Sequence, residues 1–161
     1  MGSALFVMAL AVAPAPALPA HIRPRGPELT AAATGAYQRS AEFRRLVTRI
    51  GVLRGVVYIE PRPYVDAASR RVLDGAMLHG VTVAGSQRIV RVLVRPCDHA
   101  AVVMAHEFQH VIEVLEAGAT SQSEIEVLYA RIGAQTGAGV SETAAAMETE
   151  RLVERELRMK R

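Results

Sequence analysis

The sequence is poor in residue types on which several common functions depend. It contains one cysteine, Cys97, and no tryptophan, and aromatic residues account for only 4% of its 161 positions. A single cysteine excludes an internal disulfide and a cysteine-based zinc cluster, so a metal site in this chain has to use histidine and carboxylate ligands. Because base stacking needs aromatic side chains, their scarcity argues against binding of single-stranded nucleic acid.

Strong charge of either sign is also missing. Charged residues make up 22% of the chain, the formal net charge is +3, and no long block of like charge occurs. We therefore expect no nucleic-acid partner. Hydrophobic residues make up 50% of the sequence, so a chain of this length can bury one core as one folded domain.

The first twenty residues carry no charged side chain. They run apolar from Ala4 to Val12 and continue into an alternation of alanine and proline, in which Ala15 and Ala17 fit a small-residue cleavage site. This segment, residues 1–20, resembles a secretory signal peptide, and its apolar run is too short for a comfortable membrane span. We expect a secreted or periplasmic protein without stable membrane insertion after leader removal, or a membrane-anchored one if the leader stays uncleaved.

Residues 21–33 predict a linker, since His21 to Thr30 hold three basic residues and two prolines. A single domain is then expected over residues 34–161. Its first helix is predicted from about Thr34 to Ile50, because apolar residues recur there at helical spacing and Gly51 follows them.

Strand patterns occupy the middle of the chain. The β-branched and aromatic run from Val56 to Ile59 predicts a buried strand. Two further runs, 75–83 and 88–95, are separated by a short Ala-Gly-Ser-Gln connection, which predicts a β-hairpin.

The clearest helix is the uninterrupted stretch from His99 to Ala117, with Asp98 placed as its N-cap and Gly118 as its terminator. A shorter helix is predicted over residues 124–132, and Ser141 is placed to cap a final helix. Together these elements predict an α+β domain in which a short, mostly antiparallel sheet packs against the central helix, with further helices toward both termini.

His106, Glu107 and His110 form an HExxH motif within the central predicted helix. Residues four apart lie on one face of an α-helix, so both imidazoles can turn a nitrogen toward one ion. Glu107 is rotated to the side, where its carboxylate can take a proton from a water activated by the ion. The apolar neighbours of the motif predict burial, and two buried histidines without a metal would need other partners. The motif therefore predicts a Zn²⁺ site with Glu107 as the catalytic base.

A catalytic zinc site usually has three protein ligands and one open position, so a third ligand has to come from elsewhere in the chain. The metzincin pattern is excluded, because Glu113 and Glu116 stand where that pattern requires a glycine and a histidine. Glu113 shares the histidine face but lies two turns from His106, too far along the axis to complete the site. We predict that it orients a ligand histidine, the alternative being a solvated or salt-bridged helix charge.

Glu142 is the predicted third ligand among the downstream acids. A helical wheel places it on the apolar stripe of the final helix, formed by Ala146, Thr149, Val153 and Leu157. Glu124 and Glu126 remain its rivals, since they flank the apolar face of the preceding helix. The other acids of the final helix are interpreted as solvated partners of neighbouring arginines: Glu148, Glu150 and Glu154.

The sequence HEFQHVIE at residues 106–113, with ETAAA at residues 142–146, resembles the gluzincin group of zinc metallopeptidases. It resembles more closely a set of uncharacterised, predicted secreted bacterial proteins with an HELQH-type helix. The resemblance extends from Ser40 to the C-terminal helix, and HExxH is its specific motif. It implies a small zincin-like fold and a third ligand downstream of HExxH. It also implies that the strand Arg88 to Arg95 forms an exposed edge of the sheet, where the backbone of a peptide or protein substrate can pair with it.

Zinc-dependent hydrolysis of a peptide bond is thus the expected function. The alternative is a non-catalytic metal-binding or scaffold protein with a degenerate zincin fold, in which four protein ligands would close the site. A di-iron bundle is excluded, because Glu107 with His110 is the only Glu-x-x-His pair. No motif identifies a donor for the oxyanion of the transition state, for which Tyr129, His79 and His99 are candidates.

Overall fold

The computed structural model describes residues 15–62, 64–65, 72–136 and 140–159. Most of the predicted leader over residues 1–20 lies outside this part of the chain. Within the described ranges, five helices and a four-stranded mixed sheet confirm the predicted α+β class. None of the described helices is both long enough and apolar enough to cross a membrane.

Strands and helices are interspersed along the chain. In chain order the elements are β1 (Ile22–Pro24), α1 (Pro27–Arg39), α2 (Ala41–Val52), β2 (Gly55–Glu60), β3 (Tyr64–Val65), β4 (Val72–Leu73), β5 (Gly75–Ala84), β6 (Gln87–Val94), α3 (Ala100–Ala117), α4 (Gln122–Ile132), β7 (Ala134–Thr136), β8 (Val140–Glu142) and α5 (Ala144–Met159). Two short antiparallel ladders, β3 with β4 and β7 with β8, are separate from the four-stranded sheet.

The four-stranded sheet has the order β1-β2-β6-β5. β5 and β6 form the predicted antiparallel hairpin, whereas β2 runs parallel to both of its neighbours, β1 and β6. The sheet is therefore mixed rather than mostly antiparallel as predicted, because two of its three strand pairs are parallel. Gly85 in the hairpin turn has φ 60°, a left-handed conformation that glycine adopts without strain. Because β6 lies between β2 and β5, the prediction that Arg88 to Arg95 forms an exposed edge is wrong, and β1 and β5 are the edge strands.

The hydrophobic core lies between one face of this sheet and the helices. Val57 and Ile59 of β2 face it together with Val90 and Val92 of β6, and all four are fully buried. This confirms the buried strand predicted from Val56 to Ile59. Removing one such side chain from water stabilises the fold by about 1.5–3 kcal/mol, so the central strands anchor the sheet firmly beneath the helices.

The N-terminal part of the domain differs from the prediction in two ways. Residues 21–33, predicted to be a linker, form β1 and half of α1, and Leu29 and Ala33 are fully buried. The single helix predicted from Thr34 to Ile50 is interrupted at Ser40, whose backbone is extended. The Ser40 hydroxyl accepts a hydrogen bond from the backbone N–H of Phe43 at 2.9 Å and so begins α2.

Helix α3 lies at the centre of the molecule and contacts α1, α2, α4 and α5 as well as β5 and β6. It covers nearly the whole predicted stretch and ends where Gly118 adopts a left-handed conformation with φ 71°. Its N-cap is His99 rather than the predicted Asp98, and no side chain caps it. Eleven of its 18 residues are buried, so it is enclosed on most sides.

The last two helices begin with side-chain caps. Ser121 and Glu124 form a capping box at the start of α4, and the hydroxyl of Thr143 accepts from the backbone N–H of Ala146 at 3.1 Å at the start of α5. The predicted cap, Ser141, lies in β8 instead. Glu142 is the last residue of β8, so its assignment to a stripe of the final helix is also wrong.

Candidate metal centre

The two motif histidines face each other on the inner side of α3. Their Nε2 atoms are 3.2 Å apart, and the ring planes are inclined by 71° with centroids 4.9 Å apart. This arrangement follows from their spacing of four residues, which places them one turn apart on one helix face. His110 is buried and His106 is mostly buried, so the two nitrogens meet in a site with little access for water.

The structure brings Glu142 to the two histidines. Its Oε2 atom is 3.0 Å from Nε2 of His106, and one ligand atom from each of the three residues lies within 4.8 Å of the others. The structure therefore places the predicted residue beside the histidines, but Glu142 reaches them from the strand before α5 rather than from the final helix.

The two rival acids lie elsewhere. The Oε2 atom of Glu124 accepts hydrogen bonds from the backbone of Thr120 and Ser121, so this carboxylate is occupied at the start of α4. Glu126 accepts from Nε2 of Gln122 at 2.8 Å on the surface of the same helix. Neither belongs to the group of potential metal ligands in the described part of the chain.

Each histidine is held on its other nitrogen by a carboxylate. Nδ1 of His110 lies 3.0 Å from Oε2 of Glu113, whose second oxygen accepts a 2.8 Å hydrogen bond from Thr143. Nδ1 of His106 lies 3.0 Å from Oε2 of Glu150. The predicted place of Glu113 beside a histidine agrees with this geometry, and the interpretation of Glu150 as a partner of neighbouring arginines is wrong. Only the packing of α5 against α3 brings Glu150 to His106, and no local pattern signals it.

These contacts determine which nitrogens can bind an ion. If each Nδ1–H donates a hydrogen bond to the adjacent carboxylate, both Nε2 atoms are unprotonated and carry lone pairs that point into the same space. Oε2 of Glu142 also points there, and this buried oxygen has no hydrogen-bond partner among the described residues despite its proximity to His106. Three electron pairs that converge without a shared positive charge repel one another, so the arrangement calls for a cation or extra protons.

The spacing of these atoms suits zinc. Ligands about 2.0–2.1 Å from a tetrahedral ion are about 3.3 Å from each other. The observed separations are 3.2 Å between the two Nε2 atoms and 3.0 Å between Nε2 of His106 and Oε2 of Glu142. Two of the three separations therefore match those around a zinc ion, and the third, between His110 and Glu142, is at most 4.8 Å.

The site holds a proton strongly when no metal is bound. Burial lowers the pKa of His106, but the interaction with Glu142 and the negative charges of Glu107, Glu142 and Glu150 outweigh it and raise that pKa to about 9. Contact with His106 lowers the pKa of Glu142, against the opposing effect of burial. In the metal-free protein a proton on His106 thus supplies the positive charge that the carboxylates require.

Glu107 lies beside the ligand group, between α3 and β5. It is only 6% exposed, and burial raises the pKa of its carboxyl group, while the nearby histidines oppose that shift. The backbone N–H of Met77 in β5 donates a hydrogen bond to the carboxylate. Glu107 is thus placed next to the histidines by a contact with a second element.

The three candidate oxyanion donors lie in different places. Tyr129 is buried with its ring edge-on to His110 at 5.4 Å, and its hydroxyl donates to the backbone oxygen of His110 at 3.3 Å. The ring of His79 stacks on Tyr129 at 6.1 Å, and burial lowers the His79 pKa. His99 pairs with Asp74 at 3.1 Å, two turns before the motif. Tyr129 and His79 therefore line the His110 side of the site, whereas His99 does not.

No protein-family model, curated protein or solved structure matches this chain. The function of the site therefore has to be argued from its own residues and their geometry.

A shallow depression on another part of the surface is separate from this centre. It has a volume of about 360 Å³ and lies between the end of α3 and α4, with Gly118, Val127 and Arg131 among its lining residues. None of the three potential metal ligands lines it. The described residues thus place the chemistry at the histidines rather than in this depression.

Proposed function

We propose that the chain is a zinc-dependent peptidase in which His106, His110 and Glu142 hold the metal. The observation that carries this proposal is the convergence of three ligand atoms within 4.8 Å, one of them a carboxylate oxygen 3.0 Å from Nε2 of His106. Two imidazoles and one carboxylate are a typical donor set for catalytic zinc, and calcium or magnesium would prefer oxygen ligands. Three protein ligands also leave one position of a tetrahedral ion open.

The residues around the metal have separate roles in this proposal. When bound, zinc supplies Lewis acidity, which activates water and polarises the carbonyl of the substrate. Glu113 and Glu150 hold the Nδ1 protons of the two imidazoles, so both Nε2 atoms stay free to bind the metal. Glu107 does not bind the metal and acts as the base.

Glu107 has the environment that a general base requires. Burial raises the pKa of its carboxyl group, which makes the carboxylate a better proton acceptor near neutral pH. In peptide hydrolysis it would take the proton of the attacking water and pass it to the leaving amine. The hydrogen bond from Met77 keeps the carboxylate beside the histidines through both transfers.

The proposed substrate is a peptide or protein whose backbone runs beside β5. This strand is an edge of the sheet and passes directly over α3, so it replaces the interior strand β6 as the candidate for backbone pairing. Part of its backbone is occupied, because Met77 donates to Glu107 and the N–H of Val81 donates to the oxygen of Thr120 at 3.3 Å. Export through the leader over residues 1–20 belongs to the same proposal.

Metal content and activity together test this function. Purified protein should contain one zinc ion per chain. His110→Ala should lose this ion, because His110 belongs to the ligand group, whereas His99→Ala should keep it, because His99 pairs with Asp74 instead. Glu107→Gln should keep the metal and lose about 10²- to 10⁴-fold in kcat on an unstructured protein substrate, the usual contribution of a general base. Mass spectrometry of metals and a peptide-release assay measure both quantities.

Two results would contradict the proposal. Full activity of the metal-loaded Glu107→Gln variant would remove the base from the mechanism. A zinc ion with four protein ligands and no hydrolysis of any peptide would favour the alternative of a non-catalytic metal-binding protein.

A further inference from the structure

Strand β5 comes unusually close to α3 at Gly75. A Cβ atom built at this position would lie 2.4 Å from Cγ1 of Val103, 2.9 Å from Oε1 of Glu107 and 3.2 Å from Cγ of Glu107. Distances below 3.0 Å are too short for a Cβ contact, so a side chain fits here only if the side chains of Val103 and Glu107, or the elements that carry them, shift. Val103 and Glu107 are one turn apart on α3, and the same helix face therefore fills the space above Gly75.

Backbone conformation does not explain the glycine. The glycines in left-handed conformations in the described chain are Gly26, Gly85 and Gly118, and Gly75 is not among them. A residue with a side chain could adopt the backbone angles of this position. The reason for glycine at position 75 is therefore the space that its missing side chain leaves.

That space is filled by Val103 and by Glu107, the base of the proposed reaction. Met77, two residues further on, shares the strand face of Gly75, and its backbone N–H donates to the Glu107 carboxylate. The strand thus contacts Glu107 at two residues, through the missing side chain of Gly75 and through the backbone N–H of Met77. Gly55 is a useful contrast, since a Cβ there would meet only Leu115 and Ile50 of the hydrophobic core.

We propose that Gly75 is a positioning residue for Glu107. Its missing side chain lets the carboxylate lie against β5, where the N–H of Met77 fixes the orientation of the group toward the two histidines. This inference rests on the proposed function in one respect, because Glu107 has to be the base for its orientation to matter to the rate.

Gly75→Ala tests the inference, with Gly35→Ala as the control for a glycine-to-alanine change outside the site and outside β5. Gly35 is in α1, and a Cβ there would come no closer than 3.7 Å to the Arg39 side chain, an ordinary van der Waals contact. With zinc bound, Gly75→Ala should lower kcat at least tenfold with an unchanged KM and unchanged metal content, whereas Gly35→Ala should match the wild type. Equal kcat values for the wild type and a folded Gly75→Ala variant would overturn the inference.

A second variant separates positioning from packing. Val103→Ala removes the atom at 2.4 Å, so Gly75→Ala combined with Val103→Ala should recover stability against urea and leave only the contact with Glu107. If Gly75 positions the base, the double variant folds well and kcat stays low relative to Val103→Ala alone. Recovery of kcat to that of Val103→Ala would reduce Gly75 to a packing residue and overturn the inference.

The amide proton of Met77 gives a readout that does not depend on catalysis. Its nuclear magnetic resonance shift reports the hydrogen bond to the Glu107 carboxylate, with Glu107→Gln as the reference for a weakened bond. Gly75→Ala should move this resonance in the direction of Glu107→Gln, and Gly35→Ala should leave it in place. If zinc-loaded wild type hydrolyses nothing, the proposed function fails. If the Met77 resonance is the same in Gly75→Ala as in the wild type, the inference about Gly75 fails by itself.

Discussion

At the scale of single residues, the second nitrogen of each histidine matters as much as the one that faces the metal. Glu113 and Glu150 each place a carboxylate oxygen 3.0 Å from an Nδ1 atom. Such a contact sets the tautomer, turns the ring and makes the opposite nitrogen a better ligand. Glu113 comes from the same helix, three residues after His110, and Glu150 comes from a different helix.

We predict that Glu150→Gln weakens zinc binding. The amide can still contact Nδ1, but it lacks the negative charge that supports the ligand histidine, and loss of such a partner typically costs about 10- to 100-fold in metal affinity. Titration against a zinc-binding dye measures the change. Glu148→Gln is the matched control, because Glu148 lies on the same helix in an exposed ion pair with Arg151. Equal affinities of the two variants would show that the Glu150 contact does not support the metal.

At the scale of elements, helix ends hold the parts of the site in place. α5 begins directly after Glu142, and the Thr143 hydroxyl both accepts from the N–H of Ala146 and donates to Glu113. The Thr143 side chain therefore caps α5 and also connects the start of that helix to Glu113, the carboxylate that contacts Nδ1 of His110. α4 begins with its own capping box, and Tyr129 on that helix packs against His110.

The capping box of α4 predicts a pH dependence of stability. Hydrogen bonds from Thr120 and Ser121 lower the pKa of Glu124 to about 2. A depressed folded-state pKa means that the stabilisation is present above the unfolded value, about 4.3, and is lost as the pH falls toward 2. Wild type should therefore be more stable than Glu124→Gln at pH 6, and the difference should vanish near pH 2.

Urea unfolding at several pH values measures this difference. Glu126→Gln is the control for loss of one charge on the same helix, since the Glu126 side chain pairs with Gln122 rather than with the backbone at the helix start. A stability difference between wild type and Glu124→Gln that is constant from pH 6 to pH 2 would contradict the capping interpretation.

At the scale of the whole molecule, the central helix carries ionisable side chains in a buried position, where an unpaired charge costs free energy. The ligand and supporting carboxylates surround two mostly buried imidazoles, and Glu150 at the rim is itself about half exposed. Without metal, protonation of His106 offsets part of this negative charge, since its pKa is raised to about 9. Zinc and this proton therefore compete for the same nitrogen.

We predict that the metal-free protein loses stability as the pH rises from about 6.5 to about 9. A raised folded-state pKa gives stabilisation that is fully present below the unfolded value, about 6.5, and is lost as the pH rises through 9. Zinc affinity should rise across the same window, because the fraction of His106 that is protonated, and therefore unable to bind the metal, falls.

Urea unfolding after chelation, at pH 6 and pH 9, measures the first effect, and zinc titration measures the second. His106→Gln should abolish the loss of stability across this window, since it removes the titrating group. Bound zinc should stabilise the fold by about 2.7 kcal/mol at a free concentration one hundred times its dissociation constant. A metal-free wild type with equal stability at both pH values would refute the interpretation.

Much of the site could be predicted because its main motif is local. His106 and His110 are four residues apart, and in an α-helix this spacing alone places their rings on one face. The apolar neighbours of the motif indicated that α3 is buried. Glu113 follows the same helix face and was placed correctly. Glu142 was selected as the acid on an apolar stripe of the final helix, and it does lie beside the histidines, but β8 rather than α5 contains it.

What the sequence determined by itself was local: the buried strand β2, the β5–β6 hairpin, the central helix with its terminating glycine, and the pairing of two histidines on one face. These depend on contacts between residues a few positions apart, which periodicity, caps and turns reveal. Only the tertiary structure decided the parallel pairing of β1 and β2, the contact of Glu150 with His106 and the crossing of Gly75 over Glu107. These contacts join residues more than thirty positions apart, and their pairing depends on how whole elements pack rather than on any local pattern.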